Sequence, residues 1–148
     1  MKIVIAGGQN EVDFLIGSLL EKKHKLVVIN QDKAYCEYLA ETHQITIING
    51  DPCKQYVLDD AGIKGSDILI ALTPNDADNL AICQTAKRIY GVKKVVCTVF
   101  SPKNVEVFKK LGVNTVISAS NMLACYIEQA FTAESLRKTL SIENEQVI

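Results

Sequence analysis

Long apolar runs are missing from this chain. None approaches the roughly 18–20 residues that a membrane-spanning helix requires, so direct membrane insertion is not expected. No charged leader with an apolar stretch precedes the first strand-like segment, so no secretory signal is expected either. An excess of charge is also missing. There are 16 Lys and Arg against 17 Asp and Glu, a formal net charge of −1, and the bases are scattered. Without a basic face, nucleic acid is not an expected partner. Disulfide and metal spacing are lacking too. The five cysteines, Cys36, Cys53, Cys83, Cys97 and Cys125, are an odd number without a C-x-x-C pair. They lie in apolar periodic segments and are expected to be reduced, buried, cytosolic thiols. His24 and His43 lie near the ends of predicted helices, with nothing beside them to complete a metal or triad set. They are expected as surface or capping residues.

What is present is a globular composition, 48% apolar over 148 residues, enough for one domain with a sizeable core. The first thirty residues set its plan. Ile3-Val4-Ile5-Ala6 is a short apolar run that stops at Gly7-Gly8. Val12, Leu15, Ile16, Leu19 and Leu20 then fall on one face of a helix of period 3.6. A second apolar run, Leu26 to Ile29, closes at Asn30. Two near-continuous apolar strands joined by a helix imply a parallel sheet covered on both faces. The helix N-terminus just beyond the first strand favours an anion, usually a phosphate.

The alternation continues to the end. Asp32 suits an N-cap before a helix with Tyr35, Cys36, Leu39 and Ala40 on its face. A third strand, Ile45 to Ile48, ends at Asn49-Gly50-Asp51-Pro52, and Pro52 suits the first turn of a helix that buries Val57, Leu58 and Ala61 and ends at Gly62. A fourth strand, Ile68 to Leu72, precedes a long helix with Ile82, Cys83, Ala86, Ile89 and Tyr90 on one face, stopping at Gly91. Val95 to Val99 is a fifth strand. Ser101-Pro102 reads as an N-cap with proline behind it, before a helix carrying Val105, Phe108 and Leu111. A short sixth strand, Thr115 to Ile117, leads to a final helix from about Ser120 to about Thr132, extending toward Leu140.

Six strands alternating with helices predict an α/β Rossmann-like, doubly wound parallel six-stranded sheet of order 3-2-1-4-5-6. A ligand is expected at the switch point between strands 1 and 4, beyond the carboxyl ends of the strands. Candidate binding residues there are Gly7, Gly8, Gln9, Asn10 and Glu11, then Asn30, Gln31, Asp32 and Lys33, then Gly50 and Asp51, and finally Thr73, Pro74, Asn75 and Asp76. The dinucleotide pattern G-x-G-x-x-G is degenerate: Gly7 fills the first position, Gln9 the second and Val12 the third. A plain turn without a ligand is the competing reading. Gly8 still offers close backbone approach, and Gln9 and Asn10 offer donors. At the end of strand 2, where an acid usually takes the ribose, stands Asn30, with Asp32 as the alternative acid or simply a cap. Lys33 is in reach of a phosphate or is an exposed helix lysine. Gly50-Asp51 is a turn with an acidic helix start, or a site for adenine. Thr73 or Asn75 caps the fourth helix whether or not a ligand is present.

The segments V-V-I-N-Q-D-K, I-N-G-D, A-G-I-K-G-S-D, A-L-T-P-N-D-A-D-N-L and V-F-S-P-K-N-V-E-V-F-K-K-L-G-V-N-T-V-I-S, in this order, resemble one family over nearly the whole chain. It is the N-terminal nucleotide-binding domain of Trk/Ktr-type potassium-transport regulators, the RCK or TrkA-N domain. The chain departs from that family at Gln9 and Val12, at Asn30, and at Thr98, where a basic residue is frequent. The resemblance implies a cytoplasmic nucleotide-binding regulatory subunit, peripheral to the inner face of the membrane through its partner. That partner is a membrane potassium channel or transporter subunit, and members self-associate as dimers or rings. It also implies residues 1–132 as the nucleotide-binding domain and 133–148 as an extension or the start of a linker to a second domain. The departures favour AMP, ADP or ATP as cofactor, with NAD(H) possible.

No enzyme is expected. A nicotinamide-dependent oxidoreductase, or a free-standing NAD(H) sensor, is the alternative, and the former needs a catalytic set beside the nicotinamide. Lys87 and Tyr90 do not form one. Finally, Met122 to Ile127, with Ala130 and Phe131, is apolar around much of a helix, while a helix covering a sheet needs a single stripe. Self-association through this helix is therefore expected, the competing reading being cover by a downstream segment or by Leu136 and Leu140 folding back.

Overall fold

The computed structural model describes residues 1–147, with side chains through Leu140. Six strands alternate with six helices: β1 (Lys2–Ala6), α1 (Asn10–Glu21), β2 (Lys25–Asn30), α2 (Lys33–Thr42), β3 (Thr46–Asn49), α3 (Gln55–Asp60), β4 (Ile68–Ala71), α4 (Asp76–Arg88), β5 (Lys94–Val99), α5 (Asn104–Lys110), β6 (Thr115–Ser118) and α6 (Ala119–Val147). The strands form one sheet in the order β3-β2-β1-β4-β5-β6, and every pairing is parallel. This is the Rossmann-like order expected from the alternation.

Each apolar strand feeds both faces because successive side chains point to opposite sides. Ile3, Ile5, Leu26 and Val28 pack against Val12 and Ile16 of α1 and Leu39 of α2. Val4, Ala6, Val27, Ile29, Leu69 and Ala71 pack on the opposite face against Val57 and Leu58 of α3, Ile82, Cys83 and Ala86 of α4 and Phe108 of α5. β1 is central and Val4, Ile5 and Ala6 have no solvent exposure. Its register aligns Ala6 with Ile29 on one side and Ala71 on the other. The chain therefore leaves β1, β2 and β4 side by side at one rim.

Several helix ends differ from the periodic reading, each for a tertiary reason. Pro52 does not open α3. Asp51 accepts from the Cys53 N–H through its carboxylate (2.9 Å) and from the Lys54 N–H through its carbonyl (3.0 Å), so Pro52 is buried in a turn and the helix begins at Gln55. α4 ends at Arg88. Gly91, at φ +70°, turns the chain so that Val92 donates to the Ala86 carbonyl (3.0 Å) and takes the buried place, leaving Ile89 59% exposed. Ser101-Pro102 does not cap α5, which begins at Asn104, because the Asp76 carboxylate grips the Phe100 and Ser101 N–H groups and draws the loop toward α4. All five cysteines are free, but only Cys36, Cys83 and Cys97 are buried. Cys53 lies in the turn before α3 and Cys125 on the outside of α6, so both are exposed, contrary to expectation.

His43 is the C-cap of α2, and its ring meets Asp13 of α1 at 2.6 Å. His24 stays near the surface beside the N-terminal amine. α6 continues past Thr132 and Leu140 to Val147 as one 29-residue helix. Its apolar side chains are exposed: Leu123 63%, Ile127 56% and Phe131 73%. No described helix is long and apolar enough to cross a membrane.

Candidate functional site

The crevice at the carboxyl ends of β1, β2 and β4 begins with two glycines in the left-handed region, Gly7 at φ +82° and Gly8 at φ +95°. Only glycine takes that conformation without strain. Space excludes a side chain as well. A Cβ on Gly7 would lie 2.7 Å from Thr73 Cγ2 and 3.0 Å from the Thr73 N, and a Cβ on Gly8 would overlap Val12 Cγ2. The turn after β1 is thus packed directly onto the loop after β4. α1 starts immediately afterwards with Gln9 at its N-cap, which makes no side-chain capping bond. The Val12 N–H bonds back to the Gln9 carbonyl (3.0 Å), and the N–H groups of Asn10 and Glu11 before it are at the helix start, where no acceptor lies one turn earlier in the helix.

Four internal ties fix this turn. The Gly7 N–H donates to the Ile29 carbonyl (2.8 Å). Asn30 Nδ2 donates to the Gly8 carbonyl (3.0 Å). The Tyr35 hydroxyl donates to the Gln9 carbonyl, and the Gln9 N–H donates to Glu11 Oε1 (3.3 Å). Asn30 is buried, and its Oδ1 accepts from the Asp32 N–H (3.0 Å). Its amide therefore holds the glycine turn to β2. Asp32 caps α2 by accepting from the Tyr35 N–H (3.1 Å). Gln31 and Lys33 are exposed on the same loop. Gly50 joins them through its N–H on the Asn30 carbonyl (3.0 Å), and Asn49 Nδ2 donates to the Asn30 and Gln31 carbonyls, both at 3.1 Å.

Asp51 lies beyond Gly50. Local desolvation of the sulfur, together with the Asp78 and Asp51 carboxylates, pushes the Cys53 thiol up to about 11, so it stays protonated at neutral pH. The crevice edge near the start of α4 is thus negative.

The loop after β4 is organised by a residue outside the candidate set. Asn79 has no solvent exposure. Its Oδ1 accepts from the Thr73 N–H (2.9 Å) and hydroxyl (2.7 Å), and its Nδ2 donates to the carbonyls of Thr73 and Thr98, both at 2.9 Å. It joins the ends of β4 and β5 in one network. Asn79 lies inside the segment A-L-T-P-N-D-A-D-N-L, six residues after Thr73, and that segment is the signal that could have found it. Asn75 caps α4 by accepting from the Asp78 N–H (2.9 Å), and Pro74 is exposed beside it. The Asp76 carboxylate is occupied by the Phe100 N–H (2.6 Å), the Ser101 N–H (3.1 Å) and Asn104 Nδ2 (2.8 Å). Burial opposes ionisation there, but those donors hold Asp76 below the ordinary carboxylate value. Tyr35 is the other contributor that sequence did not single out for the crevice. It is 26 residues from Gln9, and no local pattern announces such a contact.

The structure therefore brings the glycine turn, Asn30, Gly50 and Thr73 together. It uses Asn30, Asp32, Thr73, Asn75 and Asp76 as internal braces. Backbone donors and the exposed side chains of Gln9, Asn10, Gln31 and Lys33 remain at the rim. The arrangement is suited to holding a ligand.

A model of the TrkA-N domain matches residues 3–119. The chain belongs to the TrkA-N domain family. A Trk system potassium uptake protein TrkA homolog of Methanothermobacter thermautotrophicus is 30% identical over 132 residues, covering 89% of this chain and 61% of that protein. The chain covers smaller shares, 24% and 33%, of two further proteins of this kind, from Archaeoglobus fulgidus and Vibrio alginolyticus. Among solved structures, the GsuK channel bound to NAD superposes with a TM-score of 0.75 at 24% identity, over 84% of this chain and 22% of that one. The Shewanella denitrificans Kef CTD in its AMP-bound form gives a TM-score of 0.72 at 18% identity, over 90% of this chain and 81% of that one. At these identities the solved structures establish a shared fold. GsuK has also been solved bound to ADP.

Proposed function

We propose that this TrkA-N domain is a nucleotide-binding regulatory element of a potassium uptake system and performs no chemical step. Its ligand is an adenine nucleotide, AMP, ADP or ATP in preference to NAD(H). The binding residues are those of the crevice: Gly7 to Glu11, Asn30 to Lys33, Gly50 and Asp51, and Thr73 to Asp76. Supporting this reading is a turn of two left-handed glycines, Gly7 packed onto Thr73 and Gly8 onto Val12 and Leu72, at the point where the strand order reverses. Proteins of the same fold are known with NAD, ADP or AMP bound. The preference for a smaller nucleotide follows from Val12, whose Cγ2 fills the space beside Gly8, and from an amide in place of the ribose-binding acid at Asn30.

The partner is a membrane potassium channel or transporter subunit, met from the cytoplasmic side. Residues 1–132 are the nucleotide-binding domain and 133–148 an extension of it or the start of a linker, and copies pair through the exposed apolar side chains of α6. Calorimetric titration with AMP, ADP, ATP, NAD⁺ and NADH tests the reading. At least one mononucleotide is expected to bind more tightly than NADH. Binding of none of the five would overturn it.

A further inference from the structure

The N-terminus of α1 already has an anion. Glu11 lies in its first turn, and its Oε1 accepts from the Gln9 N–H at 3.3 Å, the N–H of the position where the dinucleotide pattern brings backbone to pyrophosphate. The same oxygen lies 3.3 Å from where a Cβ on Gly8 would stand, so the carboxylate overhangs the glycine turn. Free N–H groups and the positive end of the helix dipole attract one negative group to this place. A carboxylate tethered two residues away is present there at high effective concentration. Nearby loops do not offset it. The segments Gly7–Glu11, Asn30–Lys33, Gly50–Asp51 and Thr73–Asp78 carry five carboxylates and one lysine, Lys33.

We propose that Glu11 occupies the phosphate seat of this crevice and thereby selects adenine compounds carrying few phosphates, AMP before ADP, ATP or a dinucleotide. The inference rests on the nucleotide-binding reading and adds to it the residue that sets ligand class. Glu11 is exposed and braces only Gln9, so neutralising it leaves the fold intact.

The experiment titrates adenosine, AMP, ADP and NAD⁺ into the whole chain, into Glu11→Gln, and into Glu21→Gln. The last removes one charge at the far end of the same helix. Adenosine carries no phosphate and serves as the internal reference. In Glu11→Gln the affinity for ADP relative to adenosine is expected to rise on the order of tenfold, the step that about 1.4 kcal/mol produces. Glu21→Gln is expected to leave this ratio unchanged. An unchanged ratio in Glu11→Gln, or an equal rise in Glu21→Gln, would overturn the inference while leaving nucleotide binding standing. Failure of every compound to bind any of the three proteins would overturn both.

Discussion

Asn79 and Asn30 perform, at the scale of single residues, work that their positions in the sequence only hint at. Truncating Asn79 to alanine removes the partner of the Thr73 N–H and of the Thr73 and Thr98 carbonyls at a position with no solvent exposure. Each such loss costs about 1–3 kcal/mol, so Asn79→Ala is expected to lower the unfolding free energy by about 3 kcal/mol or more in urea titration. A value under about 1 kcal/mol would show that the network is not needed. Asn30→Asp reverses a donor. The new carboxylate oxygen would face the Gly8 carbonyl, now 3.0 Å from Nδ2, at a residue only 5% exposed. A destabilisation of about 1–3 kcal/mol is expected by the same method, with the glycine turn loosened. An acid at this place serves a ribose in dinucleotide folds, so its absence here exchanges that contact for a brace. The location of the candidate residues was legible because strand ends and glycines mark them. Their hydrogen bonds were not, since Asn30 to Gly8 and Tyr35 to Gln9 join segments more than twenty residues apart.

Between elements, the sequence period found the buried faces of α1 and α2, where Val12, Ile16 and Leu39 are fully enclosed. It placed the stop of α3 at Gly62 but not the starts of α3 and α5 or the end of α4. Those points were decided by tertiary contacts, such as Asp76 on the Phe100 N–H and Val92 on the Ala86 carbonyl. A further tertiary contact straps α1 to α2. Asp13 Oδ1 lies 2.6 Å from His43 Nε2, and its Oδ2 accepts from the Tyr38 hydroxyl (2.9 Å). The His43 and Tyr38 contacts hold the Asp13 carboxyl below its ordinary value of 3.8. A depressed carboxylate stabilises the fold above its unfolded pKa, and that contribution disappears as pH falls through the lower folded value. The melting temperature of the native chain is therefore expected to drop more steeply between about pH 4 and pH 2 than that of Asp13→Asn. Parallel curves in scanning calorimetry would assign the strap no role in acid stability.

For the whole molecule, topology was the most legible property. Continuous apolar strands demand cover on both faces, and the handedness of the crossovers then leaves few orders. Assembly follows from the outer face of α6. Leu123, Ile127 and Phe131 are more than half exposed, and burying each against another copy contributes about 1.5–3 kcal/mol. Light scattering at micromolar concentration is expected to show a dimer or larger, and Ile127→Glu or Phe131→Glu to shift it toward monomer. A strictly monomeric native chain would defeat the pairing.

α6 also has a mechanical consequence. Its 29 residues, at about 1.5 Å each, make a rod about 43 Å long that springs directly from the last strand. Such a rod is a lever. Turning its Ala119 end by about 10° would sweep the opposite end through about 7 Å, more than one helical pitch. A shift too small to notice at the edge of the sheet becomes, at the tip, a displacement as wide as a side chain.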